Sequence, residues 1–188
     1  MDLHVRIAPT RAFPNKADMR SKHLIRPARP DDAPRIAVLG AHVWVHTYAT
    51  AGVSDVIAQY VLASFTPDQF RTLAQEPGAV LLVAEFEGNI AGYVVMRFGS
   101  HHADICTEIE MLYVQACFAG QGIGSALLTH ARDNAMTKTG SRSIWLMVNS
   151  RNENAITFYR SCGMRQDGVA YFELGGTKHE NRVMVAVD

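Results

Sequence analysis

Two groups of residues in this sequence are spaced for chemistry. The first is Ala119-Gly120-Gln121-Gly122-Ile123-Gly124-Ser125, which lies between an apolar run ending at Val114 and a helical pattern opening near Ile123. Glycine tolerates positive φ and lets a ligand approach the backbone closely. The first amides of a helix have no partners inside it, and with the helix dipole they make a site for a phosphate or pyrophosphate. The same residues also suit a tight strand-to-helix turn that holds nothing. A P-loop would need Gly-Lys-Ser/Thr, and a dinucleotide fingerprint would need glycine where Ser125 or Leu127 stands. The second group is Glu108 and Glu110 in an apolar strand pattern. A period of two puts Glu108, Glu110, Leu112 and Val114 on one face. Such carboxylates are either a solvated strand start or a general base, acting directly or through water.

Other residues carry weaker signals. Asn152, Ala155, Tyr159 and Cys162 share one face of a helix, where the tyrosine either packs in the core or meets a ligand. His42 and His46 are four apart on a helix, but no third ligand is evident, so no metal is expected. His101 and His102 with Asp104 read as a loop, either solvated or on the substrate side. Cys117 lies near the glycines without a histidine to activate it, which makes it an inert thiol. Trp44, Tyr48 and Tyr60 suit core packing or the lining of a pocket.

The elements that must position these residues follow from hydrophobic period and punctuation. A strand is expected at His23–Pro27 and a helix from about Asp31 to Thr47, followed by helices around Val56–Phe65 and Phe70–Leu73. Strands are expected at Val80–Ala84, Ile90–Phe98 and Glu108–Gln115, with residues Gly99–Asp104 as a loop. Helix Ile123–Met136, strand Ser143–Val148 and helix Asn152–Cys162 come next. Strands Gln166–Leu174 and Arg182–Val187 close the chain around Gly175-Gly176. Strands clustered between helices imply a mixed sheet covered by helices.

Composition narrows the function. Lys+Arg and Asp+Glu are both 18 in 188 residues, so nothing calls for nucleic acid or a membrane surface as a partner. Cys106, Cys117 and Cys162 are odd in number and lack a C-x-x-C pair. That argues against a disulfide framework and for a cytoplasmic setting. Residues 1–22 read as an N-terminal extension without the apolar core of a signal peptide, and one use for it is a contact in a homodimer.

The glycine segment resembles the GNAT-superfamily pattern Q/R-x-x-G-x-G/A after a strand, with Ala119 in place of Gln or Arg. Val148 to Met164 is similar to the family's strand, N-x-x-A, x-x-F-Y and x-x-x-G-F arrangement, with Met164 for Phe. The resemblance covers about residues 23–188, one acetyltransferase domain. It implies an α/β (α+β) GNAT fold: a mixed, mostly antiparallel sheet of six to seven strands, flanked by helices and splayed at the cofactor site. It also implies acetyl-coenzyme A as co-substrate, bound by Leu112, Tyr113 and Val114, by Ala119 through Ser125, and by Asn152, Ala155, Phe158 and Tyr159. Transfer to an amine in a ternary complex then needs a base, for which the family pattern favours Glu108 with Glu110 as alternative or amine recogniser. It also needs an acid for the departing thiolate, Tyr159. Glu108–Val114, Asn152–Ile156 and Phe172–Gly176 look most like bacterial polyamine acetyltransferases, so a small amine or polyamine is the expected acceptor. Acetylation of protein N-termini or lysines, and a catalytically silent acyl-coenzyme A binding module, are the alternatives.

Overall fold

The computed structural model describes residues 23–188; the expected extension 1–22 lies outside the described residues. Seven strands form one sheet in the order β1-β2-β3-β4-β5-β7-β6. They are β1 His23–Pro27, β2 Ala79–Phe86, β3 Asn89–His102, β4 Ile105–Val114, β5 Ile144–Asn149, β6 Arg165–Leu174 and β7 Thr177–Ala186. Every neighbouring pair is antiparallel except β4 with β5. Helices α1 Ala33–Tyr48, α2 Asp55–Ser64 and α3 Pro67–Leu73 precede β2; α4 Ile123–Thr139 and α5 Glu153–Ser161 flank β5 in sequence.

Strands β2 and β3 read as near-continuous apolar runs because both faces of the sheet are covered there. On one face Leu82, Val94, Met96, Ile109 and Leu146 pack with Leu127, Ala131 and Ile156 of α4 and α5. On the other, Leu81, Val83, Tyr93 and Val95 pack with Ile36, Trp44, Phe65 and Phe70 of the first three helices. Local chemistry fixes the helix starts. The Ser54 hydroxyl accepts from Ile57 N–H, Thr66 from Gln69 N–H, and the Asn152 carbonyl oxygen from Ala155 N–H, each satisfying an otherwise orphaned first-turn amide.

Three expectations are corrected. The segment 99–104 is a hairpin end: β3 runs to His102 and β4 starts at Ile105. Gly99, at φ +84°, absorbs a bulge there and lets the ladder resume beyond it. The last strand begins at Thr177, because Gly175 and Gly176 both adopt positive φ and close a two-residue turn. Most consequential, Glu108 and Glu110 do not share a face with Leu112 and Val114. Met96 pairs with Ile109 but Val95 pairs with Met111, which leaves Glu110 as an extra, bulged residue. The phase flips there: Ile109, Leu112 and Val114 belong to the α4–α5 side, and Met111 and Tyr113 to the α1–α3 side.

Candidate active site

The sheet parts at one place. Strands β4 and β5 pair only at Glu108 with Trp145. Beyond that point β4 has β3 along one edge and no strand along the other, so Ile109–Val114 presents an open backbone edge. A cleft of about 860 Å³ opens there. Its walls are β4 from Ile109 to Val114, the loop 118–122 and start of α4, Met147 and Val148 of β5, and Asn152, Ala155, Phe158 and Tyr159 of α5. All the expected cofactor-contacting residues lie on this one cleft.

The three glycines do different jobs. Gly120 and Gly122 take φ +74° and +85°, which turn the chain from the short 3-10 turn Ala116–Phe118 into α4. Gly124 packs closely on α5, since a Cβ there would crowd the Phe158 ring at 3.0 Å. The first helical bond of α4 runs from Ala126 N–H to the Gly122 carbonyl at 2.9 Å, so the amides of Ile123, Gly124 and Ser125 precede it. Gln121 is buried and donates to the Cys117 carbonyl at 2.9 Å, while its side-chain oxygen has no partner among the described residues. Donor-rich backbone at a helix start suits an anion, and the open β4 edge suits an extended amide-bearing chain.

Tyr159 is 7% exposed at the inner end of the cleft. Burial, then the neighbouring Tyr48 and Cys162, push its hydroxyl well above the ordinary 10.0, so it carries its proton at neutral pH. Tyr48, at the end of α1, reaches the same region beside Asn152, and burial raises its hydroxyl too.

A second cavity, of about 1290 Å³, adjoins the first. Tyr48, Glu110, Val114 and Asn152 border both. Glu108 borders only the second, where it accepts a hydrogen bond from the Ser100 hydroxyl at 2.6 Å. Glu110 is held by Arg97, whose Nε donates to it at 2.6 Å while Nη1 donates to Glu76 at 2.8 Å. The sequence reading missed Arg97 and Ser100, although the register of two antiparallel strands places Arg97 opposite Glu108. It also missed the β6–β7 hairpin as a wall of this cavity. Trp44, Tyr48 and Tyr60 do line it.

Of the remaining candidates, His42 and His46 stack on each other and line the second cavity. His102 pairs with Asp167 at 3.0 Å and packs on Trp145, away from both cavities. Cys106, Cys117 and Cys162 are free thiols. Among the described residues no three His, Cys, Asp or Glu side chains converge for a metal, and no helix is long and apolar enough to cross a membrane.

Comparison with known proteins places this geometry in context. Residues 47–164 match the model of the Acetyltransferase (GNAT) family. An uncharacterized N-acetyltransferase of Mycobacterium tuberculosis is 29% identical over 154 residues, covering 82% of this chain and 96% of the relative. The streptothricin acetyltransferase of Streptomyces lavendulae is 26% identical over 174 residues, covering 85% and 90%. Among solved structures, the PaiA N-acetyltransferase of Thermoplasma acidophilum in complex with coenzyme A superposes with a TM-score of 0.73. It is 18% identical, with 89% of this chain and 99% of that one covered, a likeness of fold.

Proposed function

The chain belongs to the acetyltransferase (GNAT) family, and from that premise we propose that it moves the acetyl group of acetyl-coenzyme A to a primary amine of a small molecule, by direct attack in a ternary complex. The observation that carries this reading is the continuity of the site. The helix-start amides after Gly122, the open β4 edge and the Tyr159 hydroxyl follow one another along one cleft. That cleft meets a second cavity at Glu110. An anionic head, an amide-bearing arm and a thioester therefore have successive partners, and the acceptor has its own entrance. The M. tuberculosis relative, named as an N-acetyltransferase, and the coenzyme A complex of the fold neighbour support the reaction class and the co-substrate.

Acetyl-coenzyme A supplies an acyl carbon with a thiolate as leaving group. The chain's own residues do the rest. An ammonium acceptor with an ordinary pKa of about 10 must lose its proton to become nucleophilic. Glu108 or Glu110 takes that proton, directly or through water. The amine nitrogen bonds to the thioester carbon, and backbone amides of the β4 edge polarise the carbonyl oxygen. As the carbon–sulfur bond breaks, the Tyr159 hydroxyl gives its proton to the sulfur, and the proton that the acylated nitrogen sheds returns to the tyrosinate directly or through water. The products are the N-acetyl amine and free coenzyme A.

The streptothricin acetyltransferase relative supports a small-molecule acceptor over a protein. Polyamines are the acceptors that the motif resemblance suggests first. The test is thiol release from acetyl-coenzyme A in the presence of an amine panel and of N-terminal peptides. Thiol release that depends on a small amine is the expected result. Binding of acetyl-coenzyme A by calorimetry without thiol release from any acceptor would turn the reading into that of a silent binding module.

A further inference from the structure

The second cavity is aromatic on one side and carries carboxylates on the other. Trp44 is buried and backs the wall. Its ring lies 4.9 Å from Tyr48 and 4.8 Å from Tyr60, and Tyr60 meets Phe172 of β6 edge-on at 5.9 Å. Three elements, α1, α2 and β6, thus fix one continuous aromatic surface in advance, and a rigid surface of this kind binds flat groups at little entropic cost. Gly175 in the β6–β7 turn comes so close to Val56 of α2 that a Cβ would lie 2.7 Å from it, which holds the hairpin onto the helix and keeps Phe172 in place.

The carboxylates lining this cavity are Glu108, Glu110 and Glu153. Glu110 and Glu153 are already paired with guanidinium groups, Arg97 at 2.6 Å and Arg182 at 3.0 Å, whereas Glu108 accepts only from the neutral Ser100 hydroxyl. A polyamine brings two or more ammonium groups, and each would need an unengaged carboxylate on leaving water. One reacting amine needs only Glu108 as its counter-charge and reaches the acyl group beside Glu110, where the two cavities meet.

Building on the acetyl-transfer reading above, we propose that the preferred acceptor is an arylalkylamine: one primary amine countered by Glu108 beside Glu110, joined by a short linker to a flat aromatic group seated on Tyr48, Tyr60 and Phe172. Aromatic faces also attract ammonium groups, so a polyamine is the competitor to measure.

The experiment compares kcat/KM for 2-phenylethylamine, n-butylamine and spermidine in the wild-type protein and in Phe172→Ala. Phe172 is 39% exposed, so its loss leaves the core packed. The expected result is at least tenfold preference for 2-phenylethylamine over both others. The ratio of 2-phenylethylamine to n-butylamine should fall at least fivefold in Phe172→Ala. Spermidine equal to or better than 2-phenylethylamine overturns the proposal, as does an unchanged ratio in the variant. Thiol release with peptides but with none of the three amines overturns it while leaving acetyl transfer intact. Failure of acetyl-coenzyme A to bind at all removes both readings together.

Discussion

Replacing Gly122 by alanine separates backbone strain from ligand contact, because the same helix carries its own control. Gly122 precedes α4 at φ +85° and Gly140 follows it at φ +77°. A Cβ at either position meets nothing within 4 Å. Each alanine variant therefore carries the same left-handed backbone penalty, about 1–2 kcal/mol. At roughly 2–4 °C per kcal/mol for a chain of this size, both should melt about 2–8 °C lower. They differ in what the open space is for. At Gly122 it faces the cleft, and the added methyl stands where an anion would approach the amides of Ile123 to Ser125. Loss of one hydrogen bond to a charged group costs about 1.5–3 kcal/mol, or roughly 10- to 100-fold in Kd. Scanning calorimetry gives the first quantity and titration calorimetry with acetyl-coenzyme A the second. The expected pattern is equal loss of Tm, with affinity lost only in Gly122→Ala. If the Gly122→Ala protein binds as tightly as the Gly140→Ala protein, the helix start does not hold the co-substrate and the anion-site argument is wrong.

Three further outcomes are expected. Tyr159→Phe should lower kcat roughly 10²-fold, the scale of one proton transfer, with the acetyl-coenzyme A KM little changed; a normal kcat across pH would leave Tyr159 a packing residue. Glu110→Gln and Glu108→Gln separate the two carboxylates in pH–rate profiles. The variant that has lost the base should recover part of its activity at high pH, where more acceptor is already neutral, and recovery in neither would exclude both as the base. Asp32 is 1% exposed. Burial pushes its carboxyl up, but hydrogen bonds from Arg26 and the Arg29 amide more than reverse this and hold it at about 2, below the ordinary 3.8. Its contribution is therefore complete above about pH 4 and lost as pH falls through about 2. Asp32→Asn should cost about 3–5 kcal/mol at pH 7 and flatten the acid limb of Tm against pH; an acid limb like that of wild type would show that Arg26 is satisfied by Glu85 alone.

What the sequence reveals and what it hides divide along one physical line. The turn through Gly120 and Gly122 and the Asn152 cap of α5 are local, so residue types at fixed spacing announce them. The β4 face was misread because a bulge is a property of two strands. Nothing in Glu108-Ile109-Glu110 marks Glu110 as the extra residue, and only the register against Val95 and Met96 does. Gly99 misled for a related reason. A glycine among polar residues reads as a loop, yet its positive φ serves to continue a ladder. The acceptor cavity was legible only in pieces. Trp44, Tyr48 and Tyr60 suggested themselves, but Phe172 joins them from a hairpin more than a hundred residues away in the chain.

The single Glu108–Trp145 pair between β4 and β5 gives the sheet a missing rung that a ligand can supply. A chain laid along the open β4 edge would act as a guest strand, so part of the protein's secondary structure would come and go with each turnover. Those amide protons of residues 109–114 that point to the open edge rather than to β3 are then the natural clock of that cycle. Their exchange should be fast in the free protein and slow in the loaded one, in step with occupancy. The gain in overall stability should grow as RT ln(1 + [L]/Kd). A fold left unfinished in this way monitors its own saturation, because being full and being rigid become the same condition.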